Sequence, residues 1–162
     1  MSNSTSYPLQ VFRFQVTFQK DPLPNSGETA PVQMSAAFSE CTGLEATMEP
    51  KVIKEGGRNY GAAQRSGQVT FATVILKRGM TRDRDLWNWF TLVTQGAYAH
   101  RRTATITMFD TSGAGVLAWR LEKAMPVKFK AADLNAKGTE IGIEELHFVH
   151  EGLSLVKGEG TL

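Results

Sequence analysis

Between Val11 and Gln19 the apolar residues Phe12, Phe14, Val16 and Phe18 alternate with Arg13, Gln15, Thr17 and Gln19. A two-residue repeat puts every second side chain on one face, so this stretch reads as a strand with one face in a core. The pattern returns over Thr103–Phe109, where Ala104, Ile106 and Met108 share a face, and over Val116–Glu122, where Leu117, Trp119 and Leu121 do. One segment has helical spacing instead: Leu86, Trp89, Phe90 and Val93 fall at i, i+3, i+4 and i+7. Thr81 is placed to cap that helix, Asp83 and Asp85 set negative charge against its positive end, and Gly96 stops it. The expectation is a mainly β fold: two packed antiparallel sheets forming a barrel-like sandwich, flanked by one helix over about 82–95.

Proline and glycine divide the remaining chain. Pro22, Pro24, Gly27 and Pro31 make Lys20–Pro31 a loop, because proline fixes φ and removes a ladder donor. A strand is expected over Val32–Phe38, ending before a turn at Thr42-Gly43. Glu45–Ile53 reads as an edge or bulged strand because it contains Pro50. Lys54–Gly67, with Gly56, Gly57, Gly61 and Gly67, reads as a long loop, and long loops in compact domains often contact another chain. Gln68–Lys77 is a strong strand whose apolar phase breaks near its end, as a bulge or burial on both faces would produce. Asp110-Thr111-Ser112-Gly113 is a turn. Pro126–Lys137 has no assignable pattern. In Thr139–His150 the apolar phase slips from Ile141 and Ile143 to Leu146 and Phe148, which a β-bulge would explain. The 162 residues suit one domain, with polar ends at about 1–7 and 157–162 that are expected to be mobile in an isolated subunit.

Charge and composition remove several functions. A net charge of +2 is too small for general attraction to nucleic acid or anionic membranes. One cysteine, Cys41, permits no internal disulfide. The N-terminus carries no signal-peptide pattern, and no stretch approaches the roughly 20 apolar residues of a membrane anchor. Synthesis in the cytoplasm is the expectation.

Sites of chemistry are equally hard to find. There is no P-loop, no nucleophile elbow and no Cys-x-x-Cys pair. Glu144, Glu145, His147, His150 and Glu151 cluster in sequence, but residues three apart on a strand face opposite ways, so His147 and His150 cannot share a metal without a bulge. Lys77, Arg78, Arg82, Arg84, Arg101 and Arg102 flank the helix, and a solvated face accounts for them more simply than a charged interface. Trp87 lies off the helix's apolar stripe, and one aromatic is a poor stacking platform. The expectation is no catalytic residue, no metal, no cofactor, and hence not an enzyme.

The order of motifs nonetheless resembles one family. Phe12-Arg13-Phe14-Gln15-Val16 is followed by Ala37-Phe38-Ser39-Glu40-Cys41-Thr42-Gly43-Leu44-Glu45 and Lys54-Glu55-Gly56-Gly57-Arg58-Asn59. Next come Leu76-Lys77-Arg78-Gly79-Met80-Thr81 and Asp85-Leu86-Trp87-Asn88-Trp89-Phe90. The C-terminal part carries Trp119, Ala124-Met125-Pro126-Val127-Lys128, Asp133-Leu134-Asn135-Ala136, Ile143-Glu144-Glu145-Leu146 and His150-Glu151-Gly152-Leu153. In this order they resemble the tail-tube proteins of T-even phages and extracellular contractile injection systems.

That resemblance implies a structural subunit that forms hexameric rings, stacked into a tube around a lumen for cargo, an effector protein or DNA. It also implies sheath subunits, baseplate or spike proteins and a tail terminator as partners, and a final location in the virion tail or injection particle. The segment Gly43–Gly67 resembles the family segment that reaches neighbouring subunits. Gly43, Leu44, Glu45, Lys54, Glu55, Gly56, Gly57, Arg58, Asn59 and Gly67 are therefore the expected interface residues. Two other readings stand beside this one: a tube-initiator subunit that joins tube to baseplate, and a monomeric ligand-binding β-barrel with a lined pocket.

Overall fold

The computed structural model describes Leu9 and residues 13–20, 33–96 and 101–159. The loop expected over Lys20–Pro31 falls almost wholly outside the described residues, as do Val11, Phe12 and residues 1–8. Among the described residues, twelve strands and one helix follow one another as β1 (Phe14–Lys20), β2 (Gln33–Ala36), β3 (Glu40–Thr42), β4 (Ala46–Met48), β5 (Lys51–Ile53), β6 (Ala63–Arg65), β7 (Val69–Phe71), β8 (Val74–Gly79), α1 (Asp85–Thr94), β9 (Arg102–Phe109), β10 (Gly115–Lys130), β11 (Ile143–Val149) and β12 (Gly152–Lys157). Among the described residues, no helix is long and apolar enough to cross a membrane.

The organising element is β10. Its N-terminal half pairs with β9 on one side and β12 on the other, while its C-terminal half pairs with β11. Both β11 and β12 run antiparallel to β10 in almost the same register: Met125 faces Val149 and Glu122 faces Gly152. They therefore form one long ribbon with β10, bent where Glu151 N–H donates to the Glu122 carbonyl. At that bend Lys123 has a φ of 53° and the β9 pairing skips from Leu121 to Ala124. A bulge of this kind turns a strand from one sheet into the next. The first sheet is then β2-β1-β9-β10-β12 and the second β10-β11-β8-β3.

The two sheets face each other across a single core. Val16 and Phe18 of β1, Ala104 and Ile106 of β9, and Leu121 and Ala124 of β10 meet Leu146 and Phe148 of β11 and Val74 and Leu76 of β8. The helix contributes Leu86 and Trp89. Phe18 joins all three layers: its ring centroid lies 5.0 Å from that of Trp89 and 5.8 Å, edge-on, from that of Phe148. The mainly β sandwich with one flanking helix is thus as the alternation implied. Along the sheet path, β2 and β3 lie at the two ends, each paired on one side only among the described residues.

Several local expectations need correction. The strand expected over Val32–Phe38 stops at Ala36, and Phe38 instead turns inward beneath the Arg78 guanidinium. Gln68–Lys77 is two strands, broken at Ala72-Thr73, because its first half pairs with β4 and its second with β11 and β3. The helix begins at Asp85; Thr81 accepts a bond from Asp83 N–H but caps nothing, and Arg84 at the N-cap makes no capping bond. Pro126–Lys137 is partly strand, since β10 continues to Lys130, with Pro126 beside a bulge that removes the need for its missing N–H. The apolar slip in Thr139–His150 has another cause as well. Glu144, Leu146, Phe148 and His150 all face inward, whereas Ile141 and Ile143 face solvent; the bulge lies on β10, between Pro126 and Lys128. A buried glutamate at an inward position had disguised the phase.

Candidate subunit interface

The segment from Glu45 to Ala72 leaves the body as a two-stranded arm. Ala46, Thr47 and Met48 pair with Phe71, Thr70 and Val69; further out, Lys51, Val52 and Ile53 pair with Arg65, Gln64 and Ala63. Three residues, Ser66, Gly67 and Gln68, stand against two, Glu49 and Pro50, so the arm contains a bulge at its middle. This corrects the expected loop over Lys54–Gly67: its second part is strand, and only the tip is irregular. Ala63–Arg65 has no periodic signal, and only its partner β5 makes it a strand.

Glycine is required at two points of this arm. Gly43, at the base, has a φ of +90°, and a Cβ there would stand 2.1 Å from the Thr73 carbonyl oxygen. At Gly67 a Cβ would stand 1.8 Å from the Glu49 carbonyl oxygen, so the bulge closes only around a hydrogen atom. Leu44 packs against the edge of the core and anchors the base. Lys54, Glu55, Gly56, Gly57, Arg58 and Asn59 form the exposed tip, where the Arg58 and Glu55 side chains pair at 3.5 Å. The ten interface residues expected from sequence therefore occupy the base, middle and tip of one projection.

No residue from Glu45 to Thr70 is buried. Met48 and Val69, directly opposite one another, are both exposed, Val52 is 59% exposed and Tyr60 95%. A two-stranded ribbon on its own is only marginally stable in water, and this one offers apolar side chains to solvent along its length. Sequence reasoning missed Met48, Val52, Tyr60 and Val69; their apolar character was visible, but not that both ribbon faces would be bare.

Elsewhere, the acidic and histidine cluster is dispersed by strand alternation. Glu144 points inward to Arg78, while Glu145 and His147 face out and pair with each other at 3.1 Å. Glu151 pairs with Arg101 and, at 3.5 Å, with Lys123. Among the described residues, no three His, Cys, Asp or Glu side chains stand close enough to hold a metal ion. The basic group beside the helix is not one solvated face. Arg78 is buried, its Nη2 lying 2.7 Å from Asp85 and its Nε donating to Glu144, and Arg102 lies over the Trp89 ring at 5.2 Å. Burial opposes ionisation of Asp85, but the bond and charge of Arg78 outweigh it and hold the carboxyl below its usual range. Its helix-dipole role is thus secondary to this ion pair. Burial pushes the Cys41 thiol up to about 11, leaving it protonated at neutral pH.

His150 sits at the ribbon bend, its Nδ1 bonded to the Gly152 carbonyl at 3.0 Å and its ring 4.9 Å from Phe71 at the arm's base. Burial lowers its affinity for a proton, which the Gly152 carbonyl only partly offsets, so its folded pKa lies below the ordinary 6.5. A depressed folded value means that the unfolded chain takes up the proton first. The stability His150 contributes is complete above pH 6.5 and is lost as pH falls through the lower folded value. Urea midpoints should therefore decline between pH 7 and 5, and the decline should shrink in His150→Gln.

Comparison with known proteins decides the family. A model of the T4-like virus tail tube protein gp19 matches residues 10–154. The chain belongs to this tail tube family. Nothing among curated proteins matches it. Among solved structures, a chain of the anti-feeding prophage baseplate, six-fold symmetrised, is 25% identical with a TM-score of 0.78 and covers 94% of this chain and 98% of its own. A chain of the sheath-tube complex of an extracellular contractile injection system in its extended state is 18% identical, with a TM-score of 0.77 and coverage of 97% and 99%. One from the sheath/tube terminator of the same kind of system is 17% identical, with a TM-score of 0.76 and coverage of 94% and 99%. The tail tube family gives this chain a structural role as an inner-tube subunit within a tail-like particle.

Proposed function

We propose that this tail tube protein assembles into hexameric rings that stack into a tube, and that the arm is the contact reaching the neighbouring subunit and ring. The observation that carries this reading is the arm: an exposed apolar ribbon that its own subunit does not cover. Ring closure is supported by the second sheet. It has four antiparallel strands, so its edge strands, β3 and the C-terminal half of β10, run in opposite directions. Like-oriented copies can then pair antiparallel across each seam and leave no open edge. The first sheet has five strands and its edges run the same way, which would force parallel seams.

Sheath subunits outside, a baseplate or spike below, a terminator above and an effector protein or DNA in the lumen are the partners this reading implies. It makes the subunit mechanical and non-enzymatic, synthesised in the bacterial cytoplasm and finally located in the particle. A tube-initiator role is the second reading, favoured by the likeness to a baseplate chain. A monomeric ligand-binding barrel finds less support, because Phe18, Trp89, Leu121 and Phe148 fill the space between the sheets.

Light scattering and negative-stain imaging of purified protein test the reading. Wild type should give rings or tubes, and replacing residues 54–62 by a short turn should leave monomers of unchanged fold. Equal assembly with and without the tip would remove the arm from the interface. Rings that never stack would favour the initiator.

A further inference from the structure

The second sheet carries a row of four charges on its solvent face, one from each strand. Glu40 of β3 stands opposite Lys77 of β8, Lys77 opposite Glu145 of β11, and Glu145 opposite Lys130 of β10. Directly opposed residues share a face, so the four side chains form one line of alternating sign across the sheet. Lys77 and Glu40 are in contact at 3.3 Å, and both Lys130 and Lys77 help hold the Glu145 carboxyl below its usual range, after the His147 bond. The inner two charges are half-buried; the outer two are exposed. Each inner charge has an opposite charge on both sides, whereas each outer charge has one on one side only. The row is therefore acidic at one edge of the sheet and basic at the other.

We infer that this row is a registration device between copies: Glu40 at the β3 edge of one subunit meets Lys130 at the β10 edge of a second copy. The inference rests on the ring reading above and specifies what aligns its seam. Because the two ends carry opposite sign, like-oriented copies join head to tail and the alternation continues unbroken around the ring. A seam slipped by one residue sets Glu40 opposite a neighbour of Lys130 whose side chain points to the other face, and loses the match. A seam joining two β3 edges, or two β10 edges, sets like charges together. The row thus selects a closed, heterologous ring over a two-fold dimer.

Charge exchange tests this. Lys130→Glu and Glu40→Lys should each raise the protein concentration needed for half-maximal assembly by about tenfold, since every seam of the ring replaces an attraction by a repulsion. The double exchange restores an attractive seam and should assemble better than the product of the two single effects. Lys130→Gln, which brings no repulsion, should fall between wild type and Lys130→Glu, and the penalty of Lys130→Glu should shrink as salt is raised. Circular dichroism of each variant checks that the fold survives. Single effects that multiply without recovery in the double variant, or singles that assemble like wild type, overturn the inference while leaving the ring intact. Wild-type protein that stays monomeric at every concentration removes the ring reading and this inference together.

Discussion

Arg78→Met should lower the unfolding free energy at pH 7 by about 3–5 kcal/mol, the typical cost of removing one partner from a buried ion pair. Arg78 is 4% exposed and Glu144 7%, and between them the guanidinium also reaches Asp85 at the start of the helix. Methionine keeps the apolar stem over Phe38 but leaves the Glu144 carboxylate buried with its charge uncompensated. The loss should be smaller in acid. Asp85 has a depressed folded pKa, so its share of the stabilisation is present above its ordinary 3.8 and disappears as pH falls through the lower folded value. Removing both charges should be milder than removing one: Arg78→Met with Glu144→Leu should recover much of the loss, because Asp85 remains near solvent. Urea denaturation measures all three proteins, and a loss below about 1 kcal/mol in Arg78→Met would mean that water reaches the cluster.

Trp89→Ala should cost a comparable 3–5 kcal/mol, the range for deleting a large aromatic from a core. Its ring is fully buried, 5.0 Å from Phe18 and beneath the Arg102 guanidinium. The helix has ten residues, too few to be stable alone, so Trp89 and Leu86 hold it in place. Losing Trp89 should therefore also speed hydrogen exchange of the helix amides relative to those of β1 and β9. Trp87, two residues earlier, is 49% exposed and rests against Phe129 and Phe90. Trp87→Ala should cost under about 1 kcal/mol, as surface substitutions do. Equal costs for the two tryptophans would contradict the placement of the helix.

The candidate interface was legible in part. Glycine spacing marked Gly43–Gly67 as irregular, and the resemblance directed attention to it as a contact segment. Glycine alone could not show that the segment is a paired ribbon, because Ala63–Arg65 becomes a strand only by meeting Lys51–Ile53. Nor could local sequence show that Met48, Val52, Tyr60 and Val69 stay uncovered, since exposure depends on how far the arm leaves the body. The charge row was hidden for a related reason: its four members come from four strands spread between positions 40 and 145, and only pairing register aligns them.

By itself the sequence determined the class of fold, the single helix, the strands at Phe14–Lys20 and Arg102–Phe109, and the family. The elements follow from periodicity and punctuation, which are properties of neighbours along the chain, and the family from the order of its motifs. Tertiary structure alone decided that β10 runs sixteen residues through a bend and serves both sheets. It decided too that Glu144 faces the core and Ile143 does not. An inward glutamate is tolerated only where a distant arginine meets it, and Arg78 lies 66 positions away. Periodicity reports what a side chain prefers in water; whether that preference is overruled depends on the partner that folding brings to it.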